Sequence, residues 1–236
     1  MRIVFLGTGV AIPYNKKAQS SILIEFDGTK ILVDIGIGAV MRLNEIGVGV
    51  EEIDAICITH HHLDHNGDLL NFLKARWLLG CSSVDVFGPR GTKSVVEGLL
   101  EAYPYLRRKL KFRVYEDDEF EINGLKFKAI KTIHSIESRG YLIDDCLAIS
   151  GDTKPFKEFL ELECDVIIHE MSLTFGYETY DHTTPENLKP LLKYCKAEKL
   201  YLTHMYPMAY RDRDKILNFL EFNAIIAEDL MELKLR

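Results

Sequence analysis

Four of the eight histidines fall within six consecutive residues, directly after an apolar strand-like run. The cluster extends from His60 to His65 and follows the isoleucine-rich residues 54–59. Alternate side chains of an extended segment point the same way, so His60 and His62 can bind one metal ion. A single tetrahedral ion would not take four ligands from so short a loop, so Asp64 and His65 are predicted to turn toward a second ion. The alternative is a solvated histidine-rich loop, for which this spacing is unusual.

Further metal-ligand residues stand at the ends of other strand-like runs. His134, Asp152 and His204 each come directly after such a run. Taken alone, Asp152 could cap the N-terminus of a helix, and either histidine could be a hydrogen-bonded core residue. Together with the first motif, the three residues predict additional ligands for a site with two metal ions.

Composition excludes several classes of protein. The chain has 29 lysine and arginine residues against 36 aspartate and glutamate residues, a formal net charge of −7. Such a chain is not expected to coat a nucleic-acid backbone, which needs a basic surface.

No apolar run approaches the roughly 20 residues needed to cross a bilayer. The apolar start of the chain, residues 1–7, is too short for a signal peptide, so no membrane association is expected.

The cysteines indicate a reducing compartment. They are odd in number and scattered, and no two form a Cys-x-x-Cys pair. This pattern is typical of reduced thiols in a cytosolic protein, and we expect a cytoplasmic location. The cysteines are Cys57, Cys81, Cys146, Cys164 and Cys195.

Strand-like and helical runs follow one another without a linker, a repeat or a low-complexity tract, which favours a single domain over residues 1–236. Asp27-Gly28 and Asn123-Gly124 are hairpin signals. Hairpins come first and strands then alternate with helices, so we predict two mixed sheets with helices outside and an α+β fold. The predicted strands are 2–6, 21–26, 30–34, 54–59, 84–87, 111–115, 125–130, 140–143, 146–150, 166–169 and 199–203. The predicted helices are 39–46, 68–79, 91–103, 155–162, 185–194 and 213–222.

The seven candidate ligands resemble, in type and order, the signature of the metallo-β-lactamase fold. The resemblance covers essentially the whole chain. It implies an αββα sandwich, that is, two mixed β-sheets with outer helices, and a dinuclear site on the rim between the sheets. The family pattern would place His60, His62 and His134 on one metal ion. It would place Asp64, His65 and His204 on the other, with Asp152 as the bridging ligand.

The resemblance extends to the ribonuclease Z-like branch. In tRNA-processing ribonuclease Z, a long flexible arm that grips the tRNA elbow usually lies between the counterparts of His134 and Asp152. Here these residues are only 18 positions apart, so the chain is similar to arm-lacking members, some of which act as phosphodiesterases on small substrates. The segments that carry the resemblance are 5–13 (Phe-Leu-Gly-Thr-Gly-Val-Ala-Ile-Pro), 32–36 (Leu-Val-Asp-Ile-Gly), 134–141 (His-Ser-Ile-Glu-Ser-Arg-Gly-Tyr), 168–172 (Ile-His-Glu-Met-Ser), 181–184 (Asp-His-Thr-Thr) and 203–207 (Thr-His-Met-Tyr-Pro).

The implied reaction is the hydrolysis of a phosphodiester, in RNA or in a small molecule, by a hydroxide that bridges two divalent ions. Asp64 would accept the proton of the bridging water while remaining a ligand. His182 is the candidate general acid for the leaving alkoxide, and Glu170 would orient it. A histidine at position 62, where a di-iron redox site would have glutamate, favours zinc, although manganese, iron and cobalt also tolerate these ligands.

Other functions stay open at this stage. The same fold could carry an arylsulfatase, a thioesterase or a lactonase, and tRNA 3′ processing is less favoured because the arm is missing. A metal-binding protein without catalysis is a third class, against which the complete ligand set and the His182–Glu170 pair argue. The resemblance also implies that a homodimer is plausible.

Further residues near these motifs, and one aromatic and basic segment, are candidates for a supporting role. His61 should face away from His60 and His62, and Asp34 is a candidate hydrogen-bond partner of a ligand histidine. His169 is either a core residue or a support of the site. The aromatic and basic segment 103–111 could bind RNA, but a solvated helix end or a dimer contact is favoured. Ser135 and Ser138 could contact a phosphate or cap a local turn.

Overall fold

Two mixed β-sheets of seven strands each pack face to face in the computed structural model, which describes residues 1–235. Alternate side chains fill the layer between the sheets, for example Ile3 and Phe5 from one sheet and Phe127 and Tyr141 from the other. The intervening side chains point outward and are covered by helices. The architecture confirms the predicted αββα sandwich of two mixed sheets with outer helices.

The central strands of each sheet are buried on both faces, which explains their composition. In the first strand, Val4 and Leu6 pack on the outer face with Phe72. In the second sheet, Leu142 packs on the outer face with Phe159. Strands that are covered on both sides read as nearly continuous apolar runs rather than as alternating ones.

The first sheet combines strands of the N-terminal half with one strand of the C-terminal end. They are β1 (Arg2–Gly7), β2 (Ser21–Phe26), β3 (Thr29–Val33), β4 (Ala55–Cys57), β5 (Val84–Phe87), β6 (Phe112–Tyr115) and β14 (Glu232–Lys234). Their order across the sheet is β14-β1-β2-β3-β4-β5-β6, parallel from β3 to β6 and antiparallel elsewhere.

The second sheet is formed by the rest of the chain. Its strands are β7 (Glu119–Ile122), β8 (Leu125–Lys131), β9 (Arg139–Ile143), β10 (Leu147–Ile149), β11 (Val166–Glu170), β12 (Lys199–Thr203) and β13 (Ala224–Ile226). Their order is β13-β12-β11-β10-β9-β8-β7, with parallel pairing from β10 to β13.

Eight α-helices connect the strands of the described chain, residues 1–235. They are α1 (Ala39–Glu45), α2 (Leu63–Asn66), α3 (Leu69–Leu78), α4 (Thr92–Ala102), α5 (Lys157–Leu160), α6 (Pro185–Leu188), α7 (Pro207–Arg211) and α8 (Arg213–Leu220). Short 3-10 turns occupy Val50–Glu52, Pro104–Leu106 and Lys189–Tyr194. Within these residues, the structure contains no helix whose length and apolar character would let it cross a membrane.

The helix predicted over 155–162 was too long, because only Lys157–Leu160 is helical. The helix predicted over 185–194 is α6 followed by the 3-10 turn, which contains Pro190. Proline has no N–H to donate within a helix, so a regular α-helix does not continue through it. Strands β7, β13 and β14 and helices α2 and α7 were not predicted.

Both predicted hairpins form. Asp27-Gly28 joins β2 to β3, and Asn123-Gly124 joins β7 to β8. All four residues have positive φ, between 45° and 91°. Two-residue hairpin turns of this type need positive φ at both positions, which aspartate, asparagine and glycine adopt at low cost.

Candidate metal centre

The candidate ligands come together because their strands end at one edge of the sandwich. The 60–65 segment follows β4, and Asp152 and His204 follow the parallel strands β10 and β12 of the other sheet. A β-bridge between His60 and Ser138 joins the two sheets at this edge. The site therefore lies where both sheets contribute loops.

The first ligand group consists of His60, His62 and His134, with Asp152 beside them. One ligand atom from each of the four residues lies within 4.8 Å of the others. His62 Nδ1 is 3.2 Å from His60 Nε2 and 3.1 Å from His134 Nε2. His60 Nε2 is 3.7 Å from Asp152 Oδ2. Three imidazoles therefore direct a nitrogen at a common point.

The second ligand group consists of Asp64, His65 and His204, whose ligand atoms also lie within 4.8 Å of one another. His204 Nε2 is 3.7 Å from Asp64 Oδ2 and 3.3 Å from Asp152 Oδ2. His65 Nε2 is 3.2 Å from Asp152 Oδ1. Asp152 is thus the carboxylate that reaches both groups.

The residues present fit two divalent ions. His65 Nε2 and Asp152 Oδ1 are buried and have no hydrogen-bond partner in residues 1–235. Buried polar atoms in proteins are almost always hydrogen-bonded, so two such atoms aimed at one point indicate a site for a bound ion. Imidazole nitrogen and carboxylate oxygen are the donors that divalent first-row metals accept.

Asp34 holds His65 in a fixed orientation, as the sequence predicted. His65 Nδ1 donates to Asp34 Oδ2 over 2.7 Å, and Thr59 donates through its backbone N–H and its hydroxyl to the same carboxylate. A metal-binding histidine usually donates its other ring N–H to such a group, which fixes the tautomer. Asp34 has a positive φ of 61°, in the left-handed region that aspartate adopts more readily than most non-glycine residues.

The electrostatics of the ligand groups reflect their burial. Burial lowers the pKa of both His60 and His62, and neighbouring histidines lower it further. Neutral imidazole is the form that binds a metal. Burial also disfavours the charged forms of His65 and Asp152. The negative charges of Asp152 and Asp34 together outweigh burial and raise the pKa of His65, and His204 and His65 together lower the pKa of Asp152.

Glu170 and His182 form a second pair beside the ligand groups. His182 Nδ1 donates to Glu170 Oε1 over 2.9 Å, and the His182 ring lies 5.0 Å from the His134 ring between centroids. Glu170 is buried and also accepts backbone N–H bonds from Thr153, Ser172 and Thr183. Burial lowers the pKa of His182, but the hydrogen bond that it donates to Glu170 and the negative charges of Glu170, Asp152 and Asp181 together outweigh burial and raise the pKa to about 9.

The remaining candidates lie outside the ligand groups. His61 hydrogen-bonds with Thr92 and Asn66, away from His60 and His62, as expected. His169 is fully buried and donates through Nδ1 to the carbonyl of Glu170. The Ser138 hydroxyl forms a hydrogen bond with the Thr132 hydroxyl.

Two contacts of the ligands escaped sequence reasoning because backbone groups make them. The carbonyl oxygen of Asp181 accepts a 3.0 Å bond from His134 Nδ1. The backbone N–H of Ala11 donates to Asp64 Oδ2 over 3.0 Å. Every residue except proline carries both groups, so residue type gives no signal for either contact.

Comparisons with known proteins show which family and fold the chain is similar to. A family model described as anti-Pycsar protein Apyc1 matches residues 1–225. A ribonuclease Z from Methanopyrus kandleri is 35% identical over 142 residues, which cover 59% of this chain and 49% of that protein. The chain thus spans about half the length of that relative.

Two further similarities extend over the whole chain. A ribonuclease Z from Methanosarcina mazei is 26% identical over 299 positions, which cover 99% of this chain and 98% of the relative. The crystal structure of the metallo-β-lactamase fold protein YhfI from Bacillus subtilis superposes with a TM-score of 0.82 at 19% identity and covers 98% of both chains. The metallo-β-lactamase fold expected from the sequence is confirmed.

Proposed function

The chain belongs to the anti-Pycsar protein Apyc1 family, and from its ribonuclease Z relatives and its site geometry we propose that it is a dinuclear metal-dependent phosphodiesterase. One observation carries the proposal: two ligand groups share Asp152, and the His182–Glu170 pair lies beside them. The substrate is a phosphodiester, in RNA or in a small molecule.

The two ions are divalent, and zinc suits the ligands best, with manganese, iron and cobalt as alternatives. The first ion would be held by His60, His62 and His134. The second would be held by Asp64, His65 and His204, and Asp152 would contact both. Bound ions of this kind supply a hydroxide nucleophile near neutral pH and stabilise the negative charge of the phosphoryl oxygens.

The chain's own residues handle the protons. Asp64 accepts the proton of the attacking water at its carboxylate. His182 donates a proton to the leaving alkoxide, and it does so through Nε2, since Nδ1 is bonded to Glu170. Glu170 is held by backbone N–H groups and therefore fixes the orientation of the ring.

The short connection from His134 to Asp152 argues against a long RNA substrate bound over a wide surface of the protein. Apart from the loops beside the two residues, it contains only β9, a turn and β10. The alignment with the Methanosarcina mazei relative is 299 positions long, whereas this chain has 236 residues, so that relative carries insertions. A substrate recognised mainly at the metal centre fits the chain better than a tRNA held by an arm.

Turnover of matched substrates tests the proposal. The protein, stripped of metal and reconstituted with zinc, should bind two ions per chain and hydrolyse bis-p-nitrophenyl phosphate. It should act weakly or not at all on p-nitrophenyl sulfate, on a thioester and on a lactone. Preferential turnover of one of those three would instead support an arylsulfatase, a thioesterase or a lactonase. A pre-tRNA cleavage assay then decides between a small diester and tRNA 3′ processing.

We also propose a cytoplasmic location and a homodimer. All five cysteines are unpaired thiols, which suits a reducing compartment. Light scattering on the purified protein measures its mass in solution, and a mass of one chain would contradict the dimer.

A further inference from the structure

Asp229, in the loop before β14, makes four hydrogen bonds to three separate segments. Its Oδ1 accepts bonds from the backbone N–H of Thr8 over 2.9 Å and from the Thr8 hydroxyl over 2.8 Å. Its Oδ2 accepts bonds from the Ala18 N–H over 2.7 Å and from Arg42 over 2.9 Å. The Asp229 side chain is only 11% exposed, so these bonds are shielded from water. Charge-assisted bonds of this kind are among the stronger contacts in a protein.

Thr8 and Ala18 lie at the two ends of the loop that joins β1 to β2. A carboxylate that binds both ends closes the loop and fixes its position. Lys17 strengthens the closure, since its buried ammonium donates to the Thr8 hydroxyl over 2.8 Å and pairs with Glu228. The ends of the loop are also joined directly by a bond from the Gly9 N–H to the Ala18 carbonyl over 2.9 Å, and Asp229 ties these joined ends to the segment before β14.

The same loop contacts two members of the second ligand group. The carbonyl of Thr8 accepts a 3.1 Å bond from the backbone N–H of His204. The backbone N–H of Ala11 donates to Asp64 Oδ2 over 3.0 Å. His204 needs this support, because its φ of 56° is unfavourable for a non-glycine residue. No hydrogen bond joins residues 8–18 to His60, His62 or His134 within the described chain.

We propose that Asp229 is a positioning residue for the second metal ion: through the 8–18 loop it fixes Asp64 and His204, and it does not act on the first ion. The inference rests on the proposed dinuclear centre. Displacing a group that orients metal ligands typically weakens metal binding by about 10- to 100-fold. The expected effect of removing Asp229 is therefore large at one ion and absent at the other.

The test measures zinc affinity by competition with a chromophoric chelator, in variants that keep one ligand group. His62→Ala leaves only the second group intact, and His204→Ala leaves only the first. Adding Asp229→Ala should weaken the binding of the remaining zinc ion about 10- to 100-fold in the His62→Ala protein. It should not change the zinc affinity of the His204→Ala protein. The matched control is Glu232→Ala, which removes a carboxylate from neighbouring β14 that pairs with Arg2 and does not reach the loop.

Each result decides for or against the inference. Equal weakening in both backgrounds, or no weakening in the His62→Ala protein, overturns it. Unfolding of the Asp229→Ala variants, detected by circular dichroism, calls for Asp229→Asn, whose amide oxygen can still accept the Thr8 bonds while its NH₂ faces the donors of Ala18 and Arg42. That variant should also weaken zinc binding in the His62→Ala protein and leave it unchanged in the His204→Ala protein, but the loss of affinity should be smaller. If the wild-type chain binds fewer than two zinc ions, the proposed function fails and this inference fails with it.

Discussion

The two ligand groups are positioned by different parts of the molecule. His60 and His62 follow β4 directly, and their direction is set by the extended backbone of that segment. In the first group only His134 has such a contact with a distant segment, since its Nδ1 donates to the carbonyl of Asp181. In the second group all three residues have one: Asp34 orients His65, and the loop after β1 contacts Asp64 and His204. A substitution remote from the centre should therefore change the affinity for the second ion more than the affinity for the first. A substitution of Asp152 should change both affinities.

The largest effect is expected from Asp152→Ala, because this carboxylate reaches both groups. Both zinc affinities should fall, and hydrolysis of bis-p-nitrophenyl phosphate should drop by roughly 10³-fold or more, since charge stabilisation by both ions is impaired. Metal analysis by mass spectrometry and steady-state kinetics measure the two effects. The exposed Asp214→Ala is the matched control. Loss of only one ion from the Asp152 variant would contradict a shared ligand.

His182→Ala should separate catalysis from metal binding. Removing the general acid should lower kcat by about 10²- to 10⁴-fold, while both ions stay bound, because His182 belongs to neither ligand group. His61→Gln provides a control histidine bonded to Thr92 and Asn66. A loss of zinc, or an unchanged kcat, would show that the role assigned to His182 is wrong.

Asp34→Asn should act mainly on the second group, because Asp34 contacts His65 directly and reaches His60 only through the Thr59 hydroxyl. The amide is neutral and binds the His65 N–H less strongly, so the second zinc ion should dissociate about 10- to 100-fold more readily, while the affinity for the first ion should change much less. Chelator competition with the variant and with wild type gives both affinities. If the two ions responded equally, the two groups would not be independent.

The smallest effect is expected from Arg42→Ala. It removes one of the four hydrogen bonds to Asp229 and one bond to the carbonyl of Lys16 in the loop. The second-group affinity should fall only a few-fold, because Thr8 and Ala18 still hold the carboxylate. The measurement is made in the His62→Ala protein, and a loss as large as that of Asp229→Ala would mean that charge pairing, rather than closure of the loop, positions the ligands.

Much of this arrangement could be predicted from sequence, because apolar runs and the polar residues that end them are local signals. The bounds of β2, β5 and β12 agree with the predicted ones, and the seven candidate ligands come together at one edge. The three strands that were missed are too short, at three or four residues each, for a reliable local pattern. In β7, glutamate alternates with apolar residues at the edge of a sheet, and β13 has only three residues.

The rest depends on contacts between remote segments. Strand β14 alternates charged and apolar residues, and it is a strand because it pairs with β1, more than 200 positions away. Asp229 likewise looks like any acidic residue before a strand until the fold brings Thr8, Ala18 and Arg42 around it. Long-range pairing of this kind is invisible to local periodicity.

The position of Asp152 has a consequence for stability. It belongs to the second sheet, whereas the 60–65 segment belongs to the first, so an ion bound by both cross-links the two halves of the sandwich. Such an ion binds only the folded chain and shifts the unfolding equilibrium by mass action, by about 2.7 kcal/mol when free ligand is 100 times its Kd. The concentration of free metal ion would then determine the stability of the folded sandwich as well as the rate at which a diester is cleaved.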